Sequence, residues 1–306
     1  MALPRSAGLL LVPLVIFSLF IQPATAQTDR IVLNATVVTD SKRPLPPLEA
    51  GDFTIVADKE PLKLVSFNHG NAPVSVGILV DASGSASRPS KKVMQYVAAG
   101  IDRLLQVGNP QNEYFVAAFD SKPGLVHDWT NDAQSIRNKL VPLELKGQSA
   151  LYDGLFESVE HVKKGKHNKK AIVVVSDGMD NNSQKTFNEV RDLLRESDVL
   201  LYSVFVMNEE MAGSSLAQEG MGVMSDLSKV SGGQALLVER SPNEKTVGEL
   251  FELIGTEIRS QYELVIESPA ATGARKLRKI KITAAYTDAN GKRKELKVRT
   301  REGVYR

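Results

Sequence analysis

The sequence predicts an α/β protein built on a doubly wound, mostly parallel sheet. Flanking N- and C-terminal β segments are expected to pair into a small β-sandwich. Three observations lead there. Between residues 74 and 259, short apolar runs alternate with amphipathic helical stretches, the pattern of a sheet covered by helices on both faces. The apolar runs are continuous rather than alternating, as in strands buried on both sides. Outside that stretch the helical period disappears, and short β-branched runs are separated by turn residues. With 306 residues there is room for a medium domain and a smaller one.

Taken in order, the elements begin with an expected export signal over residues 1–26. Arg5 is followed by the uncharged apolar run Ala7 to Ile21 and by Ala24-Thr25-Ala26, a small-x-small cleavage site that places the mature start at Gln27. The run falls short of the ~20 residues that a spanning helix needs, and Pro13 interrupts it, so no stable membrane insertion is expected after cleavage. The product would be secreted or periplasmic. There is no cysteine, which removes disulfides, thiolate metal sites and cysteine nucleophiles.

Residues 27–73 read as β: Ile31-Val32-Leu33 with Thr36-Val37-Val38, then Phe53 to Val56, then Leu62 to Val65, with His69 to Pro73 as a linker. Residues 74–259 form the α/β domain. Val74 to Val80, Tyr114 to Phe119, Ala171 to Val175 and Leu200 to Val206 are its strands. Helices are expected near Ser90–Leu105, from an N-cap at Thr130 to Leu140, and over Ala150–Val162, Phe187–Arg195, Val223–Val230 and Val247–Arg259. The polar stretch Asn208 to Gly220 reads as a mobile loop. Residues 260–306 return to β at Tyr262–Ile266, Lys279–Ala285 and Glu295–Val298, with a turn at Asp288–Gly291. Each flanking segment is too small for a core of its own, which is why they are expected to pack together.

Lys and Arg number 38 against 36 Asp and Glu, for a net charge of +2, so the chain has no global pull toward nucleic acid. The basic stretch Arg275 to Lys281 alternates with apolar residues and reads as a strand with a solvated basic face.

In an open α/β sheet, ligands bind beyond the carboxyl ends of the strands. Asp81-Ala82-Ser83-Gly84-Ser85 follows one buried strand, Ser176-Asp177-Gly178-Met179-Asp180 follows another, and Gly147-Gln148-Ser149 leads into a helix. These loops would meet at one end of the sheet, where Asp81 and Asp177 offer two carboxylates and Ser83, Ser85 and Ser149 three hydroxyls. That set suits a hard divalent cation, Mg²⁺ above all, with Mn²⁺ and Ca²⁺ as further candidates. Alternate spacing lets Asp81, Ser83 and Ser85 point inward together, and Gly84 relieves crowding at the bend. Singly, each piece has a plainer reading: Ser83, Ser85 or Ser149 as a helix cap, and Asp177-Gly178 as a turn.

Asp81-Ala82-Ser83-Gly84-Ser85 resembles the Asp-x-Ser-x-Ser motif of von Willebrand factor A domains, their metal-ion-dependent adhesion site. Gly147 to Gly154 is similar to the loop that supplies that site's threonine, and Ser176-Asp177-Gly178 to the loop that supplies its last aspartate. The segment Gly51 to Phe67 and the ending Val298 to Tyr305 resemble the flanks of secreted bacterial "VWFA-related" proteins of the acidobacterial type. The resemblance implies a non-enzymatic, adhesion-type module. Ser83, Ser85, Ser149, Asp81 and Asp177 would hold Mg²⁺, and an Asp or Glu of a partner protein would complete the ion's coordination. Gly84, Gly178 and Asp180 would support from behind. Ser149 stands where the family usually has threonine, so its rotamer is less restrained.

Other chemistries find less in the sequence. There is no Gly-x-Ser-x-Gly elbow and no phosphate-cradling glycine loop. His69, His127, His161 and His167 have no metal-ligand spacing. A metal-dependent phosphatase or hydrolase would use the same ion with Asp81 or Asp177 as base or nucleophile, but no second catalytic group accompanies them. A purely structural module of an envelope assembly is the remaining alternative.

Overall fold

The computed structural model describes residues 30–38, 47–84, 92–206, 213–238, 243–268, 276–288 and 290–305. The expected signal at 1–26 and site residue Ser85 lie outside them. Four strands come first: β1 (Arg30–Val38), β2 (Phe53–Ala57), β3 (Glu60–Pro61) and β4 (Leu64–His69). The α/β body follows as β5 (Val74–Asp81), α1 (Lys92–Val107), β6 (Glu113–Phe119), β7 (Pro123–Thr130), α2 (Ala133–Leu140), α3 (Leu151–Val162), β8 (Lys169–Ser176), α4 (Phe187–Glu196), β9 (Val199–Phe205), α5 (Ser215–Ser231), β10 (Gln234–Leu237) and α6 (Glu244–Arg259). The chain ends in β11 (Tyr262–Glu267), β12 (Leu277–Thr287), β13 (Arg293–Arg299) and β14 (Gly303–Tyr305).

Every residue of β5 and β9 is buried, which is why their sequences carry no polar alternation. The body's sheet runs β10-β9-β8-β5-β6-β7. All neighbours are parallel except edge strand β7, which is antiparallel to β6. Helices α1, α2 and α6 bury Ile101, Leu140 and Phe251 against one face; α3, α4 and α5 bury Leu155, Leu194 and Leu227 against the other. Two such layers place the carboxyl ends of β5 and β8 side by side in the middle of the sheet.

The flanking strands do pair, but into one curled antiparallel sheet rather than a two-sheet sandwich. Its order is β3-β2-β12-β13-β1-β11-β4, with β14 added on β12. The curl comes from β1, which changes partner along its length: Arg30 to Ala35 lie against β11, Thr36 to Val38 against β13. One strand therefore turns the corner that two separate sheets would have needed. Leu33, Ala35, Ile55, Leu264 and Ile282 fill the inside of the curl.

This second sheet sits at the amino ends of the parallel strands. There β4 reaches His69, paired with Tyr262 of β11, just before β5 starts and just after α6 stops. The seam is charged and paired. Arg195 donates to Glu302 at 2.8 Å, Arg301 pairs with Asp198, and Arg299 pairs with Glu257. Gln261 donates from Nε2 to both Thr36 and Tyr202 at 3.0 Å. Buried Lys169 gives its ammonium to the Ile258 carbonyl near the end of α6, and burial pushes its pKa down to about 8.

Three local expectations change. Thr130 ends β7, and the cap of α2 is Asp132, whose carboxylate accepts from Gln134 N at 3.0 Å. The stretch read as a loop to Gly220 already contains the first turns of α5, started by Ser214, whose hydroxyl accepts from Ala217 N; its residues 207–212 lie outside the described ones. Strand β10 has no counterpart among the expected elements; its four residues are too few to show a period. No helix among the described residues is long and apolar enough to cross a membrane.

Candidate metal centre

Three loops beyond the carboxyl ends of the strands are stitched together by their own backbones. Ala82 N donates to Phe119 O, Lys146 N to Ala82 O, and Gly84 N to Gly147 O at 3.0 Å. These bonds hold the turn after β5 against the loop that leads into α3. That loop is tied in turn to the turn after β8, because Asn181 and Asn182 both donate backbone N–H to Ser149 O, while Ser149 N donates to Asn181 Oδ1 at 2.8 Å.

The side chains at this junction are polar and buried: Asp81 is 4% exposed, Ser83 and Ser149 1%, Asp177 8%. Asp81 Oδ1 accepts from Ser83 N at 2.9 Å, and Oδ2 accepts from the Ser176 hydroxyl at 2.8 Å. Burial pushes its carboxyl up to about 6; a hydrogen bond from the Ser83 hydroxyl opposes the rise and the neighbouring charge of Asp177 adds to it. Among the described residues, the largest influences on it are burial, the hydroxyls of Ser83 and Ser176, the Ser83 backbone N–H and the charge of Asp177. Asp177 Oδ1 accepts from Met179 N at 3.0 Å.

Ser149 is not the cap of α3; that position belongs to Ala150, which has no side-chain cap. Its hydroxyl instead donates to Met179 O at 2.9 Å. With the proton directed to a carbonyl, the oxygen's lone pairs remain available to a cation. Asp180 accepts from Tyr152 N at 3.0 Å and from the Ser183 hydroxyl, so it braces the start of α3 rather than entering the cluster. Gly178 sits at φ +74°, and a Cβ on it would run into Gly220 of α5. That close approach is why α5 can lean on the loop after β8. Gly84 has the carbonyl of Gly147 beside it, so a side chain there would press on the loop carrying Ser149.

The structure thus brings together Asp81, Ser83, Ser149 and Asp177, with Gly84 and Gly178 at the loop contacts and Asp180 behind. Sequence reading missed the part played by the turn after β6. Asp120 O accepts from Ala150 N, Ser121 Oγ accepts from Gln148 N at 3.0 Å, and Ser121 O accepts from Asn182 Nδ2. The same rule that picked out the ends of β5 and β8 would have found this turn, since β6 is also a buried strand. Among the described residues no three of His, Cys, Asp and Glu come together as a metal-holding group; the donors here are two carboxylates supplemented by hydroxyls. Such all-oxygen chemistry, with two like charges buried side by side, fits a hard divalent cation.

A doubly wound sheet with helices on both faces and a cluster of oxygen donors at its carboxyl edge places the body in the α/β class. More narrowly, residues 76–179, inside the α/β body, match the family model for the von Willebrand factor type A domain. Solved structures with a similar fold include the PilB minor pilin from Streptococcus sanguinis, at 13% identity and TM-score 0.47, with 62% of each chain covered. Others are a von Willebrand factor type A protein from Catenulispora acidiphila (12%, 0.48, covering 79% of this chain and 74% of that one) and the vWF domain of the pilus tip protein Mfa5 from Porphyromonas gingivalis (10%, 0.49, 67% and 99%). The chain spans 62% of the length of PilB. A comparison with curated proteins gives no match.

Proposed function

We propose that this is an exported, non-enzymatic binding protein in which Asp81, Ser83, Ser85, Ser149 and Asp177 hold Mg²⁺ for capturing an acidic side chain of a partner protein. The observation that carries the reading is the burial of Asp81 beside Asp177, with hydroxyl donors around them. When bound, a divalent cation would supply Lewis acidity toward an incoming carboxylate. The residues have separate tasks. Asp81 and Asp177 offset the ion's charge. Ser83 and Ser149 offer neutral oxygens, and Ser149 keeps its proton on Met179 O. Ser176 holds Asp81 in place. Among the described residues the cluster contains no histidine, and the Ser176 hydroxyl is committed to Asp81, which supports binding over hydrolysis.

Calorimetric titration with Mg²⁺ and Mn²⁺, beside Asp81→Ala, tests the site. Saturable binding by the parent and none by the variant is expected. Glutarate, a mimic of the glutamate side chain, should bind only when metal is present, and p-nitrophenyl phosphate should not be hydrolysed. A folded parent that takes up no metal, or a variant that binds as well as the parent, defeats the proposal.

A further inference from the structure

A cleft of about 1180 Å³ opens between the outer face of the curled sheet and the α5–β10 edge of the α/β body, far from the carboxyl ends of β5 and β8. Its chemistry follows from strand alternation. On β12, Arg278, Ile280 and Ile282 are buried while Lys279, Lys281 and Thr283 are exposed. On β13, Lys297 stands opposite Thr283 and adds to the same outer face. Lys59 from the β2–β3 turn and Lys229 from α5 line the cleft as well, so the charge converges from both bodies.

What distinguishes these lysines is their lack of counter-charge. The arginines lining the cleft are occupied: Arg299 by Glu257 and Arg301 by Asp198. Two of the lining acids are occupied too, Asp58 by Arg278 and Glu302 by Arg195. Among the described residues, Lys59, Lys229, Lys279, Lys281 and Lys297 form no ion pair, and Glu295 is the one lining acid outside the pairs. Five like charges kept together in a concavity need an anionic occupant with several charges.

The lining narrows the class. Among the described residues no aromatic side chain borders the cleft, so it lacks the stacking platforms on which single-stranded nucleic acids are held. None of the exposed large hydrophobic residues lies in it, and a concave surface does not meet a flat bilayer. Lysine ammonium groups are hydrated point charges without the fork that reads base edges. The geometry points to a binding site for a flexible linear polyanion bearing sulfate or phosphate groups, held by Lys59, Lys229, Lys279, Lys281 and Lys297. The solvated basic face expected from the sequence becomes a site because α5 closes its other side.

Binding of fluorescent heparin and of inorganic polyphosphate to the full chain, each across a salt series, tests this. The triple variant Lys279→Gln, Lys281→Gln, Lys297→Gln should bind at least about tenfold more weakly, with the slope of log K against log salt reduced by about 2 to 3. Glu295→Gln should tighten binding about twofold to fivefold. Whichever probe binds more tightly assigns sulfate or phosphate, and EDTA should change neither result. The inference is overturned if neither probe binds, or if a control triple on other faces (Lys122→Gln, Lys139→Gln, Lys164→Gln) weakens binding equally. Oligonucleotides or phosphatidylglycerol vesicles that bind as tightly, with the same dependence on the three lysines, overturn the ligand class.

Discussion

The two ends of the α/β body handle buried charge in opposite ways. At the seam, Arg299 faces Glu257, Arg195 faces Glu302, and Lys169 is turned to a helix carbonyl. At the other end, Asp81 lies beside Asp177 and is held by hydroxyls and a backbone N–H. Opposite charges brought together fasten two bodies. Like charges brought together destabilise the fold they sit in, and such an arrangement makes sense where something from outside completes it.

The contrast can be broken at either end. The largest effect belongs to the seam: Arg299→Ala leaves Glu257 without its cation and should cost about 3 to 5 kcal/mol in urea denaturation. A cost below about 1 kcal/mol would mean that the seam is solvated and the comparison fails. Next comes Asp81→Asn, which should stabilise the metal-free protein. The folded carboxyl titrates at about 6 against an ordinary 3.8, so its ionisation opposes folding. The penalty is absent below about pH 4, grows as pH rises to about 6 and is complete above that, where it amounts to about 3 kcal/mol. Paired melts of parent and variant at pH 4 and pH 8, without metal, read this directly; equal stability at pH 8 refutes it. By the same titration, Mg²⁺ must compete with a proton below about pH 6, and its affinity should fall there. The smallest effect sharpens the comparison. Ser149→Thr restrains the rotamer of a hydroxyl already aimed at Met179 O, so Mg²⁺ should bind about twofold more tightly. Weaker binding would show that the packing around Ser149 has no room for a methyl.

Much of the fold was legible because burial on both faces leaves a plain signature. The apolar runs of β5 and β8 could hardly be anything else. What escaped was set by partners distant in sequence. The start of α5 looked like a loop because Gly213, Ser214, Ser215 and Gly220 are poor helix formers; Gly220 is there for its contact with Gly178. The curled sheet escaped because nothing local announces that β1 changes partner after Ala35. At the site, Asp81, Ser83, Ser149 and Asp177 stand out by residue type and place. Asp120 and Ser121 do not, since they act largely through carbonyl groups that any residue would supply.

The pairing of His69 with Tyr262 also bears on how the chain folds. Strands β4 and β11 are separated in sequence by the whole α/β body, and closing so long a loop of unstructured chain is slow. Once the body has folded, its two ends emerge side by side, and strands that were remote become neighbours. Contact order therefore predicts that the curled sheet forms late, on a template that the body provides, and hydrogen-exchange labelling during refolding should protect β5 and β8 before β4 and β11.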